Sequence, residues 1–268
     1  MELSSTVPVP GIDFGVAADD YARHRQGPPD ELFDRLAAWY GIGVAGQDVV
    51  DVGTGTGVVA RELSARGARA TGIDPSPALL AQAAQLAAAS RLEVVWRHAT
   101  AEDTGLEAAT ADVVTACQAW HWFDRPRAAA EAHRILRPGG AIAILHFDWL
   151  PVPGSAVELT LSIVARHRAG APPPIDEWFA HSGVYPYWGD DLAVAGFTGI
   201  EHMGFDVAPR YSREAWRGRM RASALVSTMA PAARAAFDDD LARALAMGFA
   251  DPVDMPHRVF AVIARTPR

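Results

Sequence analysis

The stretch "DVVDVGTGTGVVARELSARGARATGIDPSPALL", residues 48–80, sets Gly53, Gly55 and Gly57 behind Asp51 and places a second aspartate, Asp74, just before a proline. A short apolar run closed by glycines is how a strand buried on both faces passes into a turn. The helical spacing of "GVVARELSARG", stopped by Gly67, and the second apolar run "ARATGID" complete a strand, helix, strand unit. In an open parallel sheet, ligands sit outside the carboxyl ends of the strands, at the switch point beside the first one. The turn lies there. Glycine brings backbone close to a ligand without a Cβ in the way, and the following helix offers free N–H groups and the positive end of its dipole. Asp74, about 20 residues on, ends the neighbouring strand where a ribose diol would lie.

The alternation continues outward. "DELFDRLAAWYG" (30–41) precedes the unit as a helix with a glycine stop, and after it come the alanine-rich helix "SPALLAQAAQLAAAS", the strand "LEVVWRH" and the strand "ADVVTACQAW". "RPRAAAEAHRILRPGG" reads as helix and stop, and "AIAILHF" (141–147) as a fifth strand. This rhythm predicts an α/β fold with a parallel sheet covered on both faces. Residues 148–191 change texture, rich in proline and tryptophan, with one helical stretch, "AVELTLSIVARHR". A long irregular stretch inside a compact fold is usually a functional cap. Beyond it, "GFTGIEHMGFDV" reads as a strand, 212–230 and 231–248 as helices, and "HRVFAVIART" as a closing strand. The expected organisation is therefore a cofactor-binding core with its N-terminal helices (1–147), a cap insertion (148–191), and the rest of the core with cap helices (192–268).

Composition removes several function classes. The 268 residues carry a formal charge of −8, against a protein that grips a phosphate backbone through a basic face. The single cysteine, Cys117, excludes internal disulfides. No run of about 18 apolar residues exists, and "MELSSTVPVPG" lacks the features of a signal peptide, so a cytoplasmic protein is expected, bound to neither membrane nor nucleic acid. The nine histidines form no metal-like spacing, and no metal is expected.

Two nucleoside cofactors use such a turn. Dinucleotide sites need G-x-G-x-x-G, whereas this chain has G-x-G-x-G behind Asp51, with Val58 in the third glycine's place. A carboxylate at 51 would repel a pyrophosphate and suits the amino group of a cationic cofactor. The chain also lacks the Tyr-x-x-x-Lys pair of a nicotinamide reductase.

"VVDVGTGTGVVARELSARG", "TGIDPSPALL", "ATAEDTGL", "DVVTACQAWHWFD" and "EAHRILRPGGAIAI", in this order and spacing, resemble the successive motifs of the class I S-adenosylmethionine-dependent methyltransferases. "YARHRQGPPDEL" and "YSREAWRGRMRASALVS" extend the resemblance to the branch of trans-aconitate methyltransferase-like small-molecule enzymes with an "HWFD" motif. The resemblance implies a Rossmann-like, seven-stranded, mostly parallel sheet with a small cap after the fifth strand. It implies S-adenosyl-L-methionine as cofactor and S-adenosyl-L-homocysteine as product. Gly53, Thr54 and Gly55 would flank the methionine part, Asp74 the ribose, and Ala101 with Glu102 the adenine edge. Gln118 would lie close to the cofactor, and Tyr21 and Arg25 would close the site, Arg25 pairing with the methionine carboxylate. Thr100 stands where many relatives carry Asp before the Ala-Glu pair.

Each assignment has a plainer rival. The glycines could form an ordinary tight turn, Asp74 a helix cap, Asp51 a brace for the loop, and Glu102 solvated surface. His121, between Trp120 and Trp122 after a strand's carboxyl end, is the candidate general base, with pocket lining or packing as alternatives. Asp124 fits the N-cap of the helix behind it, with Pro126 in its first turn. His146, Trp149, Trp178 and Trp188 join Trp120 and Trp122 as candidate acceptor walls, suited to an apolar or aromatic acceptor, unless they pad a core.

The expected activity is methyl transfer to a small organic acceptor, at oxygen, with nitrogen or carbon as the alternative. A non-methylating descendant, cyclase-like or merely binding, is the rival from another class. The alanine- and arginine-rich composition is similar to that of high-GC bacteria, where such enzymes often serve secondary metabolism. A monomer or homodimer is expected.

Overall fold

The computed structural model describes residues 27–168 and 184–268. Tyr21, Arg25 and Trp178 lie outside the described residues. Seven strands form the main sheet, in the order β3-β2-β1-β4-β5-β9-β6. They are β1 (Asp48–Val52), β2 (Arg69–Asp74), β3 (Val94–His98), β4 (Ala111–Cys117), β5 (Leu136–Trp149), β6 (Thr198–Val207) and β9 (His257–Arg265). Strands β1 to β5 run parallel, and β9 inserts antiparallel between β5 and β6. The short strands β7 (Arg210–Tyr211) and β8 (Val253–Asp254) pair with each other, apart from the main sheet.

Helix boundaries follow local chemistry. Helix α1 (Asp30–Tyr40) ends at Gly41, whose φ of 63° is the left-handed cap that glycine adopts without strain. Helix α2 (Val58–Ala65) follows the glycine turn, and α3 (Pro77–Ala89) starts from Ser76, whose hydroxyl accepts the Leu79 N–H. Asp124 caps α4 (Arg125–Ile135) by accepting the Arg127 N–H, with a proline in the first turn. The sequence pattern carried this helix on toward the Pro138-Gly139-Gly140 stop, but it ends at Ile135, and Leu136 already pairs with Ala111 as the first residue of β5. Proline disfavours helical backbone in the residue before it, and a pairing strand takes over.

The sheet is buried on both faces, which explains its near-continuous apolar strands. One face carries Val114, Ile142, Ile144 and Val262 against Trp120, Tyr185, Trp188 and Leu192. The other carries Val49, Val113, Leu145 and Ile263 against Leu32, Phe33 and Leu36 of α1. A third cluster joins α5 (Ala156–His167) to α7 (Arg213–Arg221), α8 (Ala224–Ser227) and α9 (Pro231–Gly248), through Val157, Ile163, Trp216, Met220, Phe237 and Leu241. The region expected as one cap thus divides in the described residues. Its first helix, α5, packs with the C-terminal helices, while Val184, Tyr185 and α6 (Trp188–Val194) return to the sheet. The single helix expected over 212–230 is broken at Ser223 into α7 and α8.

Trp188 is fully buried and stacks on Tyr185 with ring centroids 4.2 Å apart. It fastens the returning segment to the sheet. Trp188→Ala should cost about 3–5 kcal/mol of unfolding free energy, as for other buried aromatics. Urea unfolding followed by circular dichroism measures it, and a loss below about 1 kcal/mol would show that the ring is not part of the core.

Candidate active site

The glycine turn leaves the carboxyl end of β1 with three left-handed residues, Gly53 at φ 65°, Gly55 at 57° and Gly57 at 75°. Two of them answer to protein as well as to backbone. A Cβ on Gly57 would lie 2.3 Å from the Trp96 ring, and one on Gly53 would lie 2.7 Å from the Ala119 methyl and 2.8 Å from the Phe123 ring. The tight-turn rival and the ligand-cradle reading therefore act on the same residues. Two carboxylates fix the loop. Asp51 sits beside Thr115 in the β1/β4 register, and its oxygens accept from the Thr115 hydroxyl at 2.7 Å and the Thr54 hydroxyl at 2.5 Å. Asp74, at the end of β2, accepts the Gly55 N–H at 2.8 Å and the Ser76 N–H at 2.9 Å. Asp74 thereby both holds the turn and aligns the residue that caps α3.

Burial dominates the electrostatics of both acids. It raises Asp51 to about 6, against the two hydroxyl bonds, with the Asp74 charge adding to the rise. Burial also raises Asp74, opposed by its two backbone N–H bonds. A site that lifts two acids in this way favours a positive charge beside them.

An open cleft extends from this turn. Asp51, Gly53, Thr54, Gly55, Val58, Cys117 and Gln118 line one side, and Phe147, Tyr211, Arg219 and His257 the other. Gln118, just past β4, holds φ at 57°, and its side-chain amide donates to the Phe147 carbonyl. Left-handed backbone at a residue with a Cβ is costly and collects at functional sites. The His257 ring stacks on Phe147 at 4.5 Å, and its Nδ1 binds the Met255 carbonyl at 2.7 Å. That bond places the proton on Nδ1 and leaves Nε2 as the acceptor. Burial lowers His257 to about 4, so the ring is neutral near pH 7.

The "WHW" residues form a one-turn 3-10 helix, Trp120–Trp122, after β4. Trp120 is fully buried, with its indole N–H 3.2 Å from Asp191, and it packs in the sheet core rather than on the cleft. Trp188 does the same. His121 is buried too, its Nδ1 3.3 Å from Nε2 of His146, whose own Nδ1 lies 2.8 Å from Asp148. The Tyr185 hydroxyl donates to the same Asp148 oxygen at 2.5 Å. This His121, His146, Asp148 chain is a polar seam inside the core, and His121 and His146 are not among the cleft's described lining residues. Trp122, half-buried, packs on the edge of the same core cluster. Trp149 stands against Trp216, with the Arg219 guanidinium 5.1 Å from its ring centre.

The adenine-edge candidates lie farther along. Ala101 is buried, and Glu102 accepts the Asp124 N–H at 2.9 Å, tying the turn after β3 to the start of α4. Neither Asp74, Ala101 nor Glu102 lines the cleft beside Gln118. Sequence reasoning missed Arg219, Tyr211, Phe147 and His257. The local signal for Arg219 was its place three residues beyond Trp216, one turn along the same side of α7. No pattern in the chain pointed to His257, because its place depends on β9 running backwards through the sheet. Among the described residues, no group of His, Cys, Asp and Glu could hold a metal, and no helix is long and apolar enough to cross a membrane.

Comparison with known proteins agrees with this geometry. Residues 50–144 match a family described as methyltransferase domain. An uncharacterized methyltransferase of Mycobacterium tuberculosis is 35% identical over 134 residues, which are 50% of this chain and 51% of the relative. A ubiquinone biosynthesis O-methyltransferase of Pseudomonas savastanoi is 37% identical over 103 residues, 38% of this chain and 44% of the relative. The chain thus spans about half the length of the curated relatives it matches. A proposed type II methyltransferase of Anaeromyxobacter dehalogenans shares the fold, with a TM-score of 0.59 at 24% identity over 91% of this chain and 99% of that one. The chain is thus similar to methyltransferases over residues 50–144 and over about half of its length.

Asp51 and His257 pull stability in opposite directions across one pH window. Asp51 rises from 3.8 to about 6, so the folded state holds its proton more tightly and stability falls as pH climbs from about 4 to 6. His257 drops from 6.5 to about 4, so the folded state resists protonation and stability falls as pH descends through that range. In urea unfolding between pH 4 and 6.5, Asp51→Asn should gain about 2 kcal/mol relative to the parent as pH rises, and His257→Phe should lose a similar amount. Parallel profiles for parent and Asp51→Asn would show that the carboxylate is not buried as described.

Proposed function

We propose that the protein transfers the methyl group of S-adenosylmethionine to a small organic acceptor, at oxygen, and belongs to the small-molecule branch marked by the "HWFD" motif. One observation carries this reading: a cleft at the carboxyl ends of β1 and β4 that combines the glycine turn, the buried Asp51 and the left-handed Gln118. The donor set fits a cationic nucleoside. Asp51 would face the amino group, Gly53, Thr54 and Gly55 the methionine backbone, Asp74 the ribose, and Ala101 with Glu102 the adenine. Tyr21 and Arg25 complete the proposed set. Methylation at oxygen draws support from the O-methyltransferases among the relatives.

S-adenosylmethionine, when bound, supplies a methyl group already activated on a sulfonium. The chain's own task is alignment and exclusion of water, which can contribute about 7–11 kcal/mol. Phe147 and Tyr211 line the side of the cleft opposite the turn, beside Arg219, which lies over the Trp149 ring, and would serve as the acceptor surface. A proton acceptor is needed for a phenol or alcohol and not for a carboxylate. His121 is the candidate for that role, steered by His146 and Asp148. Its burial argues for a smaller part: His121→Ala should lower kcat by less than about tenfold, whereas a general base would cost more than about a hundredfold.

Isothermal titration tests the reading directly. S-adenosylmethionine and its demethylated product should bind the purified chain, while nicotinamide dinucleotides should not. Asp74→Ala should weaken cofactor binding by roughly 1.5–3 kcal/mol, or about ten- to a hundredfold in Kd. Binding of a dinucleotide in place of S-adenosylmethionine would reject the proposal. Mass spectrometry of a phenol, acid and amine panel for the gain of one methyl group separates a transferase from a non-methylating relative.

A further inference from the structure

We propose that Arg219 anchors a carboxylate of the methyl acceptor, so that the substrates are organic acids with an apolar, aromatic body. This rests on the reading of the cleft as a methyltransferase site. Arg219 projects from α7 into the same cleft as the glycine turn. Every basic side chain of this protein other than histidine is an arginine, and acids outnumber them, 32 to 24. Two other arginines of α7 have a carboxylate partner. Arg217 pairs with Glu214 at 2.9 Å and with Asp238, and Arg221 pairs with Glu214 at 2.8 Å and Asp238 at 3.1 Å.

Arg219, on the other face of the helix, has no such partner among the described residues and rests on the Trp149 ring. Of the two groups whose charge acts on it, Tyr211 and then Asp148, the carboxylate is already engaged by His146 Nδ1 at 2.8 Å and the Tyr185 hydroxyl at 2.5 Å. Burial lowers the Arg219 pKa, the mark of a cation deprived of water without full compensation. An incoming carboxylate restores what the folded chain leaves out, because the guanidinium fork matches its two oxygens.

The surroundings indicate what the rest of the acceptor is like. Tyr211, His257 and Phe147 present rings beside Arg219, with His257 lying nearly parallel to Phe147 at 25° and to Tyr211 at 9°. The imidazole proton on Nδ1 is taken by the Met255 carbonyl, so the ring adds no competing charge. These rings pack on one another and together give that side of the cleft an apolar, aromatic surface, which suits an acceptor with an apolar, aromatic body. The Trp149 ring under the guanidinium keeps it in place when the cleft is empty, so little order has to be created on binding.

The test uses the full chain saturated with S-adenosylhomocysteine and titrated with benzoate and cinnamate, then with benzamide and cinnamamide, their uncharged counterparts. At least one acid should bind ten times more tightly than its amide. Arg219→Met should bring the acids to the level of the amides while S-adenosylhomocysteine affinity stays within about twofold, and Arg219→Lys should keep part of the preference. Unchanged S-adenosylhomocysteine binding also certifies that the Met variant is folded, and the Lys variant keeps the test open if it is not. Equal binding of acids and amides by the parent, or a preference that survives in Arg219→Met, would overturn the inference. A tenfold loss of S-adenosylhomocysteine affinity in both variants would overturn it too, by assigning the guanidinium to the cofactor's own carboxylate. Failure of the parent to bind S-adenosylhomocysteine at all would instead sink the methyltransferase reading beneath it.

Discussion

The buried carboxylate of Asp51, held between the hydroxyls of Thr54 and Thr115, is the joint on which the site turns. Thr115 belongs to β4 and Thr54 to the glycine turn, so one side chain ties the sheet's central pair of strands to the loop that leaves it. Asp74 repeats the device from the next strand through the Gly55 N–H. A three-glycine turn would otherwise sample many conformations, since glycine loses more freedom on ordering than any other residue. Two acids anchored in neighbouring strands remove that freedom. The cost appears in their own chemistry, as carboxyls lifted by burial, and this is also what makes the turn receptive to a cation.

Packing around the turn reinforces the same constraint from outside. The Trp96 ring covers Gly57 and Gly72 so closely that a Cβ on either would lie within 2.5 Å of it, and Phe123 with Ala119 closes on Gly53. Strand β3 and the 3-10 turn after β4 are thus fitted against the loop on opposite sides. The residues that look from sequence as if they serve a ligand also serve as sockets for aromatic rings. Ligand binding and packing are not competing explanations for these glycines, because a loop must be held rigidly before it can present N–H groups to anything.

What could be read from the sequence follows from the range over which each signal acts. Parallel strands buried on both faces announce themselves in runs such as "VVDV" and "AIAIL", and helix caps at Ser76 and Asp124 depend on residues two or three positions away. The glycine turn and its two aspartates are equally local. Aromatic candidates were harder. Trp120 and Trp188 carry the same composition signal as Trp149, yet the first two fill the sheet core and the third meets Arg219, a difference set by which face of the sheet the chain returns to. His257 was invisible for the same reason: only the antiparallel insertion of β9 between β5 and β6 sets it against Phe147. The break of β5 out of α4 at Leu136 was masked by helix-forming residues that a strand pairing overruled.

That reversed strand also explains how a cofactor fold acquires a second wall. Strands β1, β2 and β4 deliver their carboxyl ends, and hence the turn, Asp74 and Gln118, to one edge of the sheet. An antiparallel strand brings its amino end to that same edge, so β9 begins at the cleft, with His257 in register opposite Trp149 at the end of β5. The short β7/β8 pair ends just before it and carries Tyr211, from which α7 departs with Trp216 and Arg219. Ser212 caps that helix by accepting the Ala215 N–H at 3.1 Å, fixing where α7 starts and therefore which of its arginines turns inward. The aromatic contacts of Trp216 with Trp149, Tyr211 and His257 then lock the helix to the strand ends. The side chains on one side of the cleft come from loops placed there by the direction of the parallel strands; those on the other come from β9, which opposes them, and from β7 and α7 beside it. The two walls meet at one sheet edge, where the Gln118 side-chain amide donates to the Phe147 carbonyl, while the Asp51 joint rests on Thr54 and Thr115, which belong to neither α7 nor β9.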